Sequence, residues 1–317
     1  MRIVISEFID PVGLEILRAA RAGDDIVYDP ALVDSPERLA AEFTTADAVI
    51  VRNRTQVRGA LLGAARGLRV VGRLGVGLDN IDTDACAARN IDVFPATGAN
   101  ADAVAEYVIA VALLLVRGAY ASTPEVAGGG WPRLALAEGG EIAGRTLGLI
   151  GFGDIARRVA RRASGLGMHV AAFDPILDPA DPAWSAHACE CLTLHALLER
   201  ADVVSLHVPL TDATRGMLDA SGLARMRPGA ILVNTARGGI VDEPALADAL
   251  RAGRLGGAAI DVFDQEPVRA GDCWSEVPNL ILTPHIAGLT RESNVRVSRM
   301  VAERVSRRLD DIERSMA

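Results

Sequence analysis

Cysteine is scarce in this chain, with four in 317 residues (Cys86, Cys189, Cys191 and Cys273), and that scarcity excludes a disulfide-built scaffold. Cys189 and Cys191 are badly spaced for a disulfide and lack a second ligand pair for zinc. The thiols therefore read as small groups in a reducing compartment, and no metal site is expected. Long apolar runs are lacking as well: the longest, 108–116, is about half of a membrane span. The N-terminus, MRIVISEF, meets an acidic residue too soon to be a signal-peptide core, so the expected location is cytoplasmic. Basic residues do not cluster either. The net charge is −8, and Arg157, Arg158, Arg161 and Arg162 read as the solvated face of one helix, so neither nucleic acid nor membrane is an expected partner.

What the chain does have is apolar residues, 50% of the total, and enough length for two domains. Short apolar runs alternate with amphipathic stretches. Strands are expected at 2–6, 48–51 and 70–73, with helices over 12–20, 61–65 and 83–89. Asn100 is placed to cap a helix over 101–117 that is apolar on nearly every side and should be buried between domains or subunits. A loop rich in glycine and proline follows at 123–140. A second alternating series then runs through strands at 146–150, 169–173, 203–207, 230–234, 257–261 and 280–282. Its helices include 155–166 and 244–252, and an amphipathic helix at 291–309 closes the chain. Continuous Val/Ile/Leu strands separated by helices predict an α/β fold, with two Rossmann-like domains of parallel sheet covered on both faces.

The strand at 146–150 runs directly into Gly151-Phe152-Gly153-Asp154-Ile155-Ala156 and then a helix. Gly151 permits a sharp turn, Gly153 lets the backbone approach a pyrophosphate, and small Ala156 lets helix pack on strand. The freed amides and the helix dipole favour that anion. The next strand ends at Asp174, where a carboxylate can accept both ribose hydroxyls and repel the 2′-phosphate of NADP. No Arg follows in Pro175-Ile176-Leu177, so NAD is the expected cofactor.

Three more segments fall at strand ends: Asn234-Thr235-Ala236-Arg237-Gly238-Gly239, Asp261-Val262-Phe263-Asp264-Gln265-Glu266-Pro267, and Thr283-Pro284-His285-Ile286-Ala287-Gly288. With Gly72-Arg73-Leu74-Gly75-Val76-Gly77-Leu78-Asp79-Asn80 and the glycine turn, they give a chain that resembles the D-2-hydroxyacid dehydrogenase family over essentially its whole length. The resemblance implies a split, flavodoxin-like substrate domain, 1–99 and 286–317, around an inserted NAD-binding domain, 100–285. It also implies a homodimer formed through the 101–117 helix. His285 should donate the proton when a 2-oxo acid is reduced and remove it in the reverse direction, since imidazole titrates near neutrality. Glu266 should hold the other ring nitrogen, and Arg237 should grip the substrate carboxylate. Cofactor contacts carry over to Asp154, Ile155, Pro209, Thr235, Ala236, Arg237, Asp261, His285 and Gly288, beside Gly151, Gly153 and Asp174. The remaining histidines, His169, His187, His195 and His207, read as structural.

Arg52 and Arg54, in Val51-Arg52-Asn53-Arg54-Thr55, and Arg73 suggest a substrate with a second anionic group, with backbone at Leu74, Gly75, Val76 and Gly77 holding the carboxylate. The stretches 5–8, 51–55 and 72–80 look more like the branch of the family that acts on (S)-3-sulfolactate. D-3-phosphoglycerate and a general glyoxylate or hydroxypyruvate reductase activity remain alternatives. A remote alternative on the same fold is an NAD-sensing corepressor that binds peptides, which would call for interaction tails.

Overall fold

The computed structural model describes residues 1–316, which form two compact units: Met1–Asn100 with the chain from Leu289 on, and Ala101–Gly288. In the first unit β1 (Arg2–Ile5), β2 (Asp25–Tyr28), β3 (Ala48–Val51), β4 (Val70–Arg73) and β5 (Asp92–Pro95) make a wholly parallel sheet in the order β2-β1-β3-β4-β5. Alternate residues feed two cores. Ile3, Ile5, Ile50 and Val70 join Val297, Val301 and Val305 of the closing helix Arg291–Met316, while Val4, Val49, Val51 and Val71 join Leu39, Phe43 and Leu62.

The second unit contains β6 (Thr146–Ile150), β7 (His169–Phe173), β8 (Cys189–Cys191), β9 (Val203–Leu206), β10 (Ile231–Asn234), β11 (Gly257–Ile260) and β12 (Leu280–Leu282). They form a parallel sheet in the order β12-β11-β10-β9-β6-β7-β8. Leu147 and Leu149 pack on one face with Val104, Val108, Val159 and Ala163; Ile150, Val204 and Leu232 pack on the other with Leu197, Leu246 and Leu250. In each sheet the first strand is flanked on both sides, β1 by β2 and β3, β6 by β7 and β9. Strand order reverses there, and the connections leave in opposite directions. That opens a crevice at the strands' carboxyl ends, where open α/β sheets bind ligands.

Two local expectations need correction. The Asn100 Oδ1 atom is buried without a hydrogen-bond partner, so the side chain does not cap the helix Ala101–Arg117. The arginines of the helix Asp154–Gly165 do not form a merely solvated face. Arg158 and Arg162 bind Asp102 at 2.7 and 2.8 Å, and Arg157 donates to the Phe152 carbonyl at 2.9 Å while its guanidinium lies over the Phe152 ring. β2, β5 and β8 lie outside the expected set, because short strands at or near sheet edges carry polar residues (Asp25, Asp92, Glu190) that break the apolar signature. All four cysteines are free thiols, and among the described residues no helix is long and apolar enough to cross a membrane.

Candidate active site

In the second unit β6 ends on the glycine turn. Gly151 has φ +91°, and a Cβ there would lie 2.8 Å from the His207 carbonyl at the end of β9, so only glycine lets the two strand ends approach. A Cβ on Gly153 would meet nothing within 4 Å; it would occupy the open space over the start of the helix Asp154–Gly165. Gly153 brings no side-chain cap to that helix, whose first amides lack intrahelical acceptors. Asp174, just beyond β7, accepts the Phe152 amide at 2.8 Å with Oδ2, and the Ile176 and Leu177 amides with Oδ1. Thr235 Oγ1, beyond β10, is buried without a partner. A cradle that a side chain would fill, an uncapped helix start and an orphaned hydroxyl, all at the carboxyl ends of strands of one sheet, fit a dinucleotide. Of the other expected contacts, Asp154 is exposed and pairs with Arg158, Ile155 packs against the core, Pro209 is exposed, Ala236 is buried and Gly288 is half-buried.

His285 lies two residues beyond Thr283, which itself follows β12. Its Nδ1 is 2.9 and 3.1 Å from the two oxygens of Glu266, a contact that fixes the tautomer and leaves Nε2 to face a substrate. Burial pushes the Glu266 carboxyl up. The His285 hydrogen bond and charge, the Phe263 amide and the Arg237 guanidinium outweigh burial and hold it below the usual glutamate value. The imidazole therefore faces a carboxylate at hydrogen-bond distance.

The backbone at His285 is in the left-handed region, φ +56°, at a cost of roughly 1–2 kcal/mol for a residue with a Cβ. Asp261, just past β11 and 1% exposed, offsets that cost. Its carboxylate accepts Thr283 Oγ1 at 2.6 Å and the amides of Ile286 and Ala287 at 2.8 Å each, while its carbonyl accepts the His285 amide at 2.8 Å. Hydrogen bonds to a charged acceptor contribute about 1.5–3 kcal/mol each, so the turn is held firmly.

Arg237 comes to the same place by a close backbone approach. Asn234 folds its loop by accepting the Ala236 amide and donating to the Arg237 carbonyl. A Cβ on Gly238 would lie 2.0 Å from the Phe263 carbonyl, so glycine there lets the Arg237 loop lie against the loop that carries Glu266. The chain has no lysine, so imidazole and carboxyl groups are the proton carriers near neutrality. His207 is unsuitable: burial pushes its imidazole down to about 3, and Nε2 sits 2.9 Å from Ser205 Oγ.

In the first unit the crevice between β1 and β3 is lined differently. Glu7, 5% exposed, accepts the amides of Arg52 and Thr55 with Oε1 and that of Arg54 with Oε2, fixing the loop after β3. Asn80 donates to the Thr55 carbonyl at 2.7 Å, and the Ser6 and Thr55 hydroxyls are 2.9 Å apart. The two arginines differ. Arg54 is exposed and ion-paired with Asp34. Arg52 is held over the Phe8 ring, with Nη2 2.6 Å from Asn294 Oδ1, and no carboxylate is within ion-pair distance among the described residues. Beyond β4, Leu74 is in the core with its amide bound to the Val51 carbonyl, and the Gly75 amide is bound to the Arg73 carbonyl. The Val76 and Gly77 amides have no acceptor among the described residues. Glu7, Asn294 and Thr283 lie outside the expected site residues. Only Glu7, an acid directly after an apolar strand, leaves a local signal.

These features define a dinucleotide-dependent oxidoreductase with a carboxylate–imidazole pair and a neighbouring guanidinium. Residues 109–287 match the family described as "D-isomer specific 2-hydroxyacid dehydrogenase, NAD binding domain", and the chain belongs to that family. It is similar to the (S)-sulfolactate dehydrogenase of Chromohalobacter salexigens, 52% identical over 97% of this chain and 98% of that one. The D-3-phosphoglycerate dehydrogenase of Mycobacterium tuberculosis is 40% identical over 90% of this chain, but the match spans only 53% of that longer protein. Among solved structures, the NAD-dependent formate dehydrogenase of Staphylococcus aureus in complex with NAD superposes with a TM-score of 0.83, at 27% identity over 98% of this chain and 96% of that one. The chain is thus an NAD-dependent 2-hydroxyacid dehydrogenase with the expected twin parallel-sheet architecture.

Proposed function

We propose that the chain interconverts (S)-3-sulfolactate and 3-sulfopyruvate with NAD. The observation that carries this choice is Arg52, a guanidinium whose close partners are neutral: the Asn294 amide and the Phe8 ring and carbonyl. Burial pulls its pKa down and the Glu7 charge pulls it partly back, so an arriving anion meets a desolvated cation. Asp34 neutralises Arg54 and both Glu7 oxygens are taken by backbone amides, so Arg52 is the one of these two arginines without a carboxylate in direct contact. A sulfonate carries a single charge. A phosphate ester carries nearly two at neutral pH and needs more compensation. The named activity of the Chromohalobacter relative supports the same choice.

When bound, the cofactor would supply the hydride chemistry at the carbon bearing the oxygen, as NADH for reduction of the 2-oxo acid and as NAD⁺ for oxidation of the hydroxy acid. Arg237 binds the carboxylate through charge-assisted bonds and draws charge toward the carbonyl. His285 Nε2 delivers its proton to the oxygen as the hydroxyl forms, and recovers it in oxidation. Glu266 stabilises the imidazolium before transfer. The backbone at Leu74, Gly75, Val76 and Gly77 is assigned to the carboxylate, with the Val76 and Gly77 amides as donors. Cofactor contact is assigned to Gly151, Gly153, Asp154, Ile155, Asp174, Pro209, Thr235, Ala236, Arg237, Asp261, His285 and Gly288. The side chain of Ile176, 93% exposed beside Asp174, offers an apolar surface to a flat base. The same assignment makes the unit that holds Arg52 the substrate domain, and the unit that holds the glycine turn the nucleotide domain.

A homodimer in the cytoplasm is part of this reading. Leu113, Leu114, Trp131, Leu134 and Leu166 are exposed, an unusual amount of large apolar surface to leave in water. The free thiols suit a reducing compartment. The purified protein should be assayed with NAD⁺ on both sulfolactate enantiomers, D-3-phosphoglycerate and D-lactate. Turnover of (S)-sulfolactate at the highest kcat/KM is expected, and its absence would sink the substrate assignment. Sedimentation as a monomer at micromolar concentration would remove the dimer.

A further inference from the structure

We infer that Tyr107 is a positioning residue for His285, acting through Thr283 and Asp261. The Tyr107 hydroxyl, on the helix Ala101–Arg117, is 2.6 Å from Thr283 Oγ1, and the Thr283 hydroxyl is 2.6 Å from Asp261 Oδ1. An ionised carboxylate cannot donate, so the single Thr283 proton goes to Asp261. The contact between the two hydroxyls then has one solution: Tyr107 donates and Thr283 accepts. The result is a directed chain, Tyr107 to Thr283 to Asp261, ending on the carboxylate that also takes the Ile286 and Ala287 amides and so shapes the left-handed turn at His285. Donation into Thr283 polarises its O–H and strengthens the next bond, as in any hydrogen-bond chain in a low-dielectric interior. It also stops the Thr283 hydroxyl from rotating to another acceptor. Burial pushes the Tyr107 phenol above its usual value; the Thr283 bond opposes this and the nearby Asp261 charge adds to it, so the donor persists across the neutral range.

The chain reaches the backbone of His285, while Glu266 reaches its ring. The two controls are separate: Glu266 sets tautomer and charge, and the Tyr107 chain sets where Nε2 points. Small errors in direction are costly for proton transfer. The inference rests on His285 being the proton carrier, and its test must separate the two ideas.

The variants are Tyr107→Phe, Thr283→Val and the double substitution, with Thr283→Ser as the conservative rescue and His285→Ala as the control for the underlying reading. The measurements are single-turnover reduction of 3-sulfopyruvate and hydroxypyruvate by prebound NADH, the NADH dissociation constant, and the imidazole NMR resonances of His285 without substrate. Tyr107→Phe should slow the single turnover about tenfold, the rate equivalent of about 1.4 kcal/mol, with NADH affinity within about twofold of wild type. The His285 resonances should move, and Thr283→Ser should react close to the wild-type rate. Because the three groups act as one chain, the double variant should be no slower than Thr283→Val alone. Unchanged His285 resonances in Tyr107→Phe would overturn the inference, as would a rate within twofold of wild type, multiplicative losses in the double variant, or a loss confined to NADH binding. Retained turnover in His285→Ala would instead remove the assignment of His285 and leave the NMR result to decide the positioning.

Discussion

Asp174 Oδ2 accepts the Phe152 amide at 2.8 Å, so the carboxylate that follows β7 is tied to the middle of the glycine turn that follows β6. The same carboxylate that would select the ribose also holds the pyrophosphate turn in shape, and one substitution should therefore move two properties. Asp174→Ala should lower kcat/KM with NADH by about 10–100-fold, the value of a hydrogen bond to a charged group. It should raise the ratio of NADPH to NADH activity, because the anion that repels a 2′-phosphate is gone. Steady-state kinetics with both cofactors measure this, and an unchanged ratio would show that selectivity lies elsewhere.

His285→Ala tests the centre of the site. Positioned general acid–base catalysis contributes about 10²–10⁴-fold, and kcat should fall by that amount. The imidazole is on the turn after β12, whereas the glycine turn follows β6 and has its own support from Asp174, so NADH binding by fluorescence should persist. Turnover near wild type would refute the assignment.

Glu266→Gln should act through pH. The Glu266 carboxyl stays ionised through the neutral range because the His285 contact, the Phe263 amide and Arg237 hold it below its usual value against the effect of burial. In Glu266→Gln the imidazolium that the proposed proton delivery requires loses its neighbouring anion. The alkaline fall of the reduction rate should move to lower pH, and the acid limb of oxidation should move the same way. A profile displaced in the opposite direction would contradict the pairing. The stability that the lowered carboxyl contributes is present above the usual glutamate pKa and is lost as pH falls through the depressed value.

The sequence made the chemistry legible wherever function sits in contiguous residues at a strand end. The turn at Gly151 and Gly153, and the segments around Arg237, Glu266 and His285, each follow a strand directly, and parallel packing alone brings those ends to one edge. The chain passes from the first unit to the second at Asn100, where the apolar pattern changes, whereas its return after Gly288 carries no such local signal. What could not be read is what long-range packing decides. Asn294 reaches Arg52 from 242 positions away, and Tyr107 reaches Thr283 from 176 away, and neither residue type announces its partner. Arg158 and Arg162 looked solvated because the acid that takes them, Asp102, is on a different helix. Asn100 has the right residue type for a cap, but its side-chain oxygen meets no donor.

The two arginines after β3 give the sharpest test of substrate choice, because the structure treats them so differently. Arg54 is exposed and already neutralised by Asp34, and a surface pair of that kind contributes about 0–1 kcal/mol. Arg54→Gln should therefore leave KM for sulfolactate within about threefold. Arg52 is desolvated, stacked on Phe8 and held by a neutral amide, so an incoming sulfonate gains a charge-assisted bond without breaking an ion pair. Arg52→Gln should raise KM about 10–100-fold with sulfolactate. It should change KM little with D-lactate, which has no second anionic group. Asn294→Ala should fall between the two arginine variants, because it frees the guanidinium without removing it. Equal effects of Arg52→Gln on both substrates would mean that Arg52 supports the loop rather than reading the sulfonate, and the choice of sulfolactate would lose its physical basis.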